Sequence, residues 1–157
     1  MAIDRRLILQ GSLAMTLGVS APTRPVLAEG RNLTQAAFAS AVRVGSGFAL
    51  LILDEAGRVL REIPLEARGH DTTVHLGSGI GVMFARRPGD FAVAFEFSRP
   101  TAPKVFRTPA DRHFYGHGVF SNDGRLLYAT ENDFDNARGL IGIYDVKGGF
   151  SRIGEFP

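Results

Sequence analysis

The feature that most constrains this 157-residue chain is a strand–turn–strand element that recurs about every 45 residues. Three stretches share it, and they read LLILDEAGRVLREIPL, AFEFSRPTAPKVFRTP and IGIYDVKGGFSRIGEFP. When their turns are aligned on Asp54, Ser98 and Asp145, the spacings are 44 and 47 residues. Periods of about 40–50 residues that contain several short strands are typical of β-propellers. The recurrence therefore predicts a series of small sheets arranged around an axis.

Two further recurrences have a similar period. The pair Gly69-His70 returns 47 residues later as Gly116-His117. A hairpin-like stretch also recurs, as GVMFARRPGDFAVAFE and GVFSNDGRLLYATEN. The Asp-Gly pair of the second stretch predicts a tight hairpin turn, because glycine readily adopts the positive φ that such turns need.

Short apolar runs separated by Gly, Pro, Asn and Asp dominate the chain from residue 45 onward. In one of them Phe91, Val93 and Phe95 alternate with Ala or Glu, which is typical of a strand with two unlike faces. For residues 31–43 two alternatives stay open, a short helix, weakly favoured by the alanines, and an extended lead-in. The predicted strands are residues 48–53, 59–65, 74–76, 81–85, 91–97, 104–108, 118–121, 125–130, 140–145 and 150–156.

The four strands predicted within residues 114–157 are joined by short turns, which is the composition of one propeller blade. The sequence therefore predicts an all-β protein. We expect residues 45–157 to form an incomplete β-propeller of about three blades, each a four-stranded antiparallel sheet, after a lead-in over 29–44. The alternative is a β-sandwich whose turns share this spacing by coincidence.

The first 28 residues predict an export signal, a signal helix that precedes the propeller. A charged start at Arg5 and Arg6 leads into a mildly apolar stretch over residues 7–21 and a small-residue cleavage site that ends at Ala28. Paired arginines before a weakly hydrophobic core indicate the twin-arginine route, with its export machinery as a partner and the periplasm as the destination. The alternative is an amphipathic N-terminal helix of a cytoplasmic protein.

Charge argues against a nucleic-acid partner. The whole chain carries a net charge of +2, but three of its 18 basic and one of its 16 acidic residues lie within residues 1–28. The remaining chain has no net charge and no cluster of basic residues interleaved with aromatics, so we predict that no nucleic acid binds. The chain also has no cysteine, which excludes a disulfide framework and thiol ligands.

The stretch GVFSNDGRLLYATEN followed by IGIYDVKGG resembles the YVTN-type, WD40-like propeller repeat. Together with RRLILQ, RGHD, FYGHGVFSNDGRLLYATEND and RGLIGIYD, it resembles the domain-of-unknown-function 1513 family. The resemblance implies a twin-arginine-exported, seven-bladed propeller-like protein of the bacterial periplasm with no established activity. Members of that family are longer, so the resemblance also implies missing propeller blades. Some relatives are encoded near imelysin-type iron-uptake proteins, which implies a link to iron uptake.

The four histidines are candidate ligands. His70, His75, His113 and His117 lie in the two segments that lead into blade hairpins. Loops of this kind often converge on the channel of a propeller, and neutral imidazoles there hold transition metals or haem-like groups. We therefore expect a metal site, if there is one, at His70, His117 and His75. The competing interpretation is that each histidine hydrogen-bonds a neighbouring blade.

An acidic segment offers a second candidate, a loop cation site at Glu131, Asp133 and Asp135, because alternating carboxylates suit a hard cation such as Ca²⁺. It lacks the glycine and terminal glutamate of an EF-hand, and exposed loops also use Asp and Asn for their own backbone hydrogen bonds. No catalytic motif, phosphate-binding loop or pair of catalytic carboxylates stands out.

Three functions stay open. The leading hypothesis is a periplasmic binding or scaffold propeller with no catalysis of its own, which takes a protein partner or a small ligand at the propeller face. The second is a metal- or quinone-dependent propeller enzyme, an oxidoreductase or a lactonase-like enzyme. The third is a non-functional truncated fragment. The sequence requires no cofactor and is compatible with a transition metal.

Overall fold

The alternation of apolar and polar residues produces β-strands throughout residues 33–157, the part of the chain that the computed structural model describes. The signal predicted for residues 1–28 lies outside this part. Apart from a 3-10 turn at Leu33–Gln35, the regular structure of residues 33–157 is all β. These residues include no helix that is long and apolar enough to cross a membrane. The strands are Phe38–Val44 (β1), Gly47–Leu53 (β2), Val59–Leu65 (β3), Gly69–His75 (β4), Ile80–Ala85 (β5), Phe91–Glu96 (β6), Lys104–Arg107 (β7), Arg112–Phe120 (β8), Leu126–Asp133 (β9), Arg138–Asp145 (β10) and Ser151–Phe156 (β11).

Strands that follow one another in the chain also pair with one another, and they form three antiparallel sheets. The first sheet has the order β1-β2-β3, the second β4-β5-β6-β7 and the third β8-β9-β10-β11. The all-β prediction and the partial propeller are confirmed. Within the described residues the first sheet has three strands instead of the four expected of each blade.

The second sheet lies between the other two, because its central strands are apolar on both faces. Successive residues of β5 alternate between two cores. Met83 packs with the first sheet, whereas Val82 and Phe84 pack with the third. All three side chains are fully buried. A sandwich has one core between two sheets, but this chain has a core on each side of its middle sheet, as stacked propeller blades do.

The second and third sheets form a wedge that is narrow where β4 and β8 lie side by side. At this narrow side Gly116 of β8 lies against the ring of His70, with space for nothing larger than hydrogen. Farther out, aromatic rings fill the wider gap, and Phe106 and Phe150 stack with their centroids 4.7 Å apart. Propeller blades are narrow toward the axis, so β4 and β8 are the innermost strands.

Both innermost strands are longer than the sequence predicts. The apolar pattern predicts residues 74–76 for β4 and 118–121 for β8, and it assigns the earlier parts of both strands to lead-in segments. The structure contradicts this, since β4 begins at Gly69 and β8 at Arg112. Polar residues and glycines dominate the missed parts, in which His70, Asp71 and His117 are exposed, so these parts lack apolar alternation.

Two other predictions change. The segment 31–43 is extended over most of its length, and Phe38–Val44 belongs to the first sheet instead of leading into it. The hairpin recurrence is wrong, because GVMF lies in β5 whereas GVFS ends β8. The strand–turn–strand recurrence is correct, since β2–β3, β6–β7 and β10–β11 are the last two strands of their sheets.

One face of the third sheet is apolar and exposed. Val119 and Tyr128 are opposite one another in β8 and β9, and Phe156 packs its ring 6.3 Å from that of Tyr128. Val119 is 60% exposed and Phe156 is 51% exposed. The corresponding face of the second sheet is buried beneath the third sheet. The exposed face of the third sheet therefore resembles a blade surface that lacks its neighbouring blade.

We expect residues 29–157 on their own to self-associate through this face. Replacing both Val119 and Phe156 by lysine should convert most of the protein to monomer in sedimentation velocity, because each lysine places a charge in the apolar contact. Leu76→Lys is the matched control, since Leu76 is 90% exposed in the turn between β4 and β5. A wild-type protein that sediments as a monomer would contradict this prediction.

Candidate ligand site on the innermost strands

Two β-bulges interrupt the strands that line the narrow side. In β4 the pairing with β5 shifts between Gly69 and Asp71, and His70 is the extra residue. In β8 the pairing with β9 shifts within residues 114–118, a segment that contains His117. A bulge releases a residue from the ladder and changes the direction of its side chain. The two histidines that recur 47 residues apart therefore also share a local backbone irregularity.

The bulges bring both imidazoles and a carboxylate together. The ring centroids of His70 and His117 are 5.0 Å apart, with 69° between the ring planes. His117 Nδ1 lies 3.1 Å from Asp71 Oδ2. His70 is exposed, and the side chains of His117 and Asp71 are 57% and 48% exposed. We call these three residues the β4–β8 edge.

Neighbouring groups fix the backbone of the β4–β8 edge. The Thr130 hydroxyl donates to the His117 carbonyl at 3.0 Å, and the His117 N–H donates to Thr130 Oγ1 at 3.3 Å. One side chain thus satisfies both backbone groups that the bulge removes from the ladder. Gly116 has a φ of +99°, and a Cβ there would lie 2.5 Å from His70 Cδ2. Glycine is therefore required at this position both by its conformation and by its contact.

His75, the third predicted metal ligand, lies at the opposite end of β4 and uses both of its nitrogens. Nε2 donates to the carbonyl of Asn122 at 3.2 Å, because a carbonyl only accepts. Nδ1 then accepts the Ser78 N–H at 3.2 Å. Asn122 belongs to the turn between β8 and β9, so His75 connects two sheets, which fits the blade-contact interpretation of the histidines.

The remaining histidine, His113, lies near the start of β8, where its ring meets the edge of Phe134 at 4.9 Å. The structure thus brings together His70 and His117, and it places His75 and His113 elsewhere. Among residues 33–157 no group of three or more His, Cys, Asp or Glu side chains is arranged to hold a metal ion.

The predicted loop cation site falls partly within a strand. Glu131 and Asp133 belong to β9 and are buried, whereas Asp135 is exposed in the turn that follows. The prediction that the loop begins at Glu131 is wrong. It fails because alternate residues of β9 face the second sheet regardless of their charge.

The carboxylate of Glu131 is fully buried and has protein partners. It accepts hydrogen bonds from the hydroxyl of Tyr144 and, at 3.0 Å, from Arg152 Nη2. Burial, together with the bond to this carboxylate, raises the pKa of the Tyr144 phenol well above its ordinary value. Gly142 leaves the necessary space, because a Cβ there would overlap the carboxylate.

Asp133 has a similar set of partners. Its carboxylate accepts hydrogen bonds from the Asn136 amide at 2.9 Å and from Arg138 Nε at 3.0 Å. The bonds from Asn136, and then that from Arg138, hold the pKa of Asp133 below its ordinary value despite the opposing effect of burial. Two of the three predicted cation ligands are therefore engaged within the third sheet.

Comparison with known proteins places this geometry in a family. The model of the family described as "Protein of unknown function (DUF1513)" matches residues 63–157, more than half of the chain. The chain belongs to the DUF1513 family. The matched region of this DUF1513 protein includes β4 to β11 and with them the whole β4–β8 edge. The chain matches no curated protein sequence.

A solved structure shares the fold of the DUF1513 chain. It is described as "Dihydro-heme d1 dehydrogenase NirN in complex with DHE", and the two align with a TM-score of 0.55 at 16% sequence identity. The alignment covers 76% of this chain and 27% of that chain, so the DUF1513 chain spans about a quarter of the length of this neighbour. The neighbour is a β-propeller, and the likeness supports the propeller fold.

Sequence reasoning found both histidines of the β4–β8 edge and missed what positions them. Neither Asp71 nor Thr130 is among the site residues that the sequence predicts. The recurrence of Gly-His was the available signal, because a glycine inside a strand often marks a bulge or a close approach of the backbone. The partners come from strands far apart in sequence, so spacing alone did not reveal them.

Gly116→Ala should lower the free energy of unfolding by roughly 1–3 kcal/mol, because the alanine Cβ meets His70 and the positive φ becomes strained. Urea denaturation followed by circular dichroism measures this. Gly139→Ala is the matched control, since a Cβ there has no atom within 4 Å. Equal stability of the two variants would contradict the packing described for Gly116.

Proposed function

We propose that this DUF1513 chain forms part of a periplasmic β-propeller that binds a ligand or serves as a scaffold, without catalysis of its own. In this proposal the ligand binds at the β4–β8 edge. The observation that carries the proposal is the convergence of two exposed imidazoles and one carboxylate on the innermost strands, each histidine in a bulge. Bulges are frequent beside functional sites, where they direct side chains at a ligand.

A metal-containing ligand is the class that this edge accommodates best. Neutral imidazole is a common ligand of transition metals, and the neighbouring carboxylate orients one of the rings. The structural neighbour is a dihydro-heme d1 dehydrogenase by name, and a haem-type molecule also contains a metal centre. An association with iron uptake, implied by the family resemblance, agrees with a ligand of this class. Further blades that cover the open face of the third sheet complete the scaffold in this proposal.

Export by the twin-arginine route belongs to the same proposal, because that route carries proteins that fold before they cross the membrane. The sequence supports it through Arg5, Arg6 and the cleavage site at Ala28. Cysteine-free proteins fold without periplasmic oxidation, so the composition is compatible with this compartment.

Replacing Arg5 and Arg6 together by lysine should abolish export, because the twin-arginine machinery recognises the guanidinium pair while the charge stays unchanged. Cell fractionation with an antibody to the chain should show the wild-type protein in the periplasm and the variant in the cytoplasm. Arg24→Lys serves as the control outside the pair. Equal periplasmic amounts of all three proteins would contradict the assignment of this route.

Protein purified from the periplasm should carry a metal-containing ligand in near-equimolar amount, measured by native mass spectrometry and elemental analysis. The double variant His70→Ala, His117→Ala should lose this ligand. The control variant His113→Ala should retain it, because His113 does not belong to the β4–β8 edge. A wild-type protein without any bound metal would overturn the proposed ligand class. Turnover of the bound molecule would instead favour the enzyme hypothesis.

A further inference from the structure

The tautomer of His117 follows from its contact with Asp71. An ionised carboxylate only accepts hydrogen bonds, so at a Nδ1–Oδ2 distance of 3.1 Å the hydrogen lies on Nδ1. In the neutral ring the lone pair is then on Nε2. This nitrogen accepts no hydrogen bond from residues 33–157, and the side chain is 57% exposed. Carboxylate–histidine pairs of this kind orient imidazoles toward metal ions.

The position of His70 adds a second donor at a suitable distance. When two imidazoles bind one tetrahedral ion through metal–nitrogen bonds of about 2.0–2.1 Å, their ring centroids are about 5 Å apart. His70 and His117 are separated by 5.0 Å in an edge-to-face contact whose planes are inclined by 69°, so it is the spacing of the rings that fits a shared ion. His117 also joins the second and third sheets through Asp71, but it uses Nδ1 alone for this contact, whereas His75 has a partner on each of its nitrogens.

The relative placement of the two rings distinguishes a hydrated metal ion from the iron of a tetrapyrrole as the bound metal centre. Adjacent imidazoles occupy neighbouring coordination positions, which a hydrated ion offers. The iron of a planar tetrapyrrole offers positions only above and below its plane, so two side-by-side imidazoles cannot both reach it. The shared chemistry is a metal that accepts imidazole nitrogen, and the geometry favours the hydrated ion.

We infer that His70 and His117 form a two-imidazole clasp for a divalent transition-metal ion, with Asp71 as the positioning residue for His117. The described residues supply two donors, so water or a bound molecule fills the other coordination positions. The inference uses the proposed function only for the location of the ligand. It adds the kind of metal centre and the role of each residue.

The test is a titration of the full chain with Co²⁺ alone. Calorimetry measures the binding, and proton NMR measures the paramagnetic shifts of the imidazole C–H signals. We expect one saturable site and shifts confined to two histidines. His70→Ala and His117→Ala should each weaken binding at least tenfold. Asp71→Asn should weaken it by about tenfold, as substitution of an orienting partner does. His75→Gln, the matched control, should bind like the wild-type protein.

A parallel titration with haemin separates the two sources. If haemin binds, Co²⁺ shows no saturable site and only His117→Ala loses haemin affinity, the clasp is overturned while the proposed binding function stands. If Co²⁺ binds through both histidines and protein from the periplasm carries no metal, the clasp stands while the proposed ligand class falls. Co²⁺ affinity that is unchanged in His70→Ala would also overturn the clasp.

Discussion

The burial of β5 and β6 on both faces is the constraint on which the arrangement of the three sheets depends. Val82 and Met83 are neighbours in the chain, both fully buried, and they belong to different cores. Complete burial of such a side chain contributes roughly 1.5–3 kcal/mol, so a middle sheet with one bare face would lose a large part of the stability of the domain. The second sheet therefore requires a neighbour on each side, and the innermost strands acquire their positions as a result.

The third sheet contains an ionic cluster that the hydrophobic cores do not explain. A buried carboxylate such as Glu131 is costly unless it is paired and hydrogen-bonded, and here Tyr144 and Arg152 supply both. Arg152 belongs to β11, so its bond to Glu131 links β9 with β11, and it also bonds Glu155 of its own strand. The hydrogen bonds and the ion pair of the cluster offset the cost of removing its charged groups from water. The cluster also restricts the register of three strands, because its partners meet only in this alignment.

How far the sequence predicted the structure depended on where each strand lies in its sheet. The alternation of Phe91, Val93 and Phe95 was sufficient to identify β6 and its two faces, because both faces are buried by unlike neighbours. The innermost strands were only partly predicted, since Gly69 to Thr73 consist of glycine and polar residues and have no apolar period. Glu131 was assigned to a loop because its buried partners, Tyr144 and Arg152, come from other strands and leave no trace in the local pattern.

The candidate site was predicted to a similar degree. The residue types and the 47-residue recurrence selected His70 and His117, whereas His75 was selected without that recurrence. Its contact with Asn122 depends on how the turn after β8 approaches β4, which spacing does not determine. Local sequence therefore indicated which side chains have ligand chemistry. Tertiary contacts distinguished His75, whose two nitrogens both have partners, from His70 and His117, which remain exposed.

The glycines of the two Gly-His pairs are required by the fold itself, Gly69 by packing and Gly116 by its positive φ as well as by packing. A Cβ on Gly69 would lie 2.5 Å from Ala41 Cβ and 2.7 Å from Met83 Sδ, just as one on Gly116 would collide with His70. These contacts involve protein atoms only. Selection for folding would therefore retain each glycine in relatives that have lost the ligand, while the following histidine would be free to change. Among homologues, the residue after the glycine, and not the glycine itself, would report whether binding has been kept.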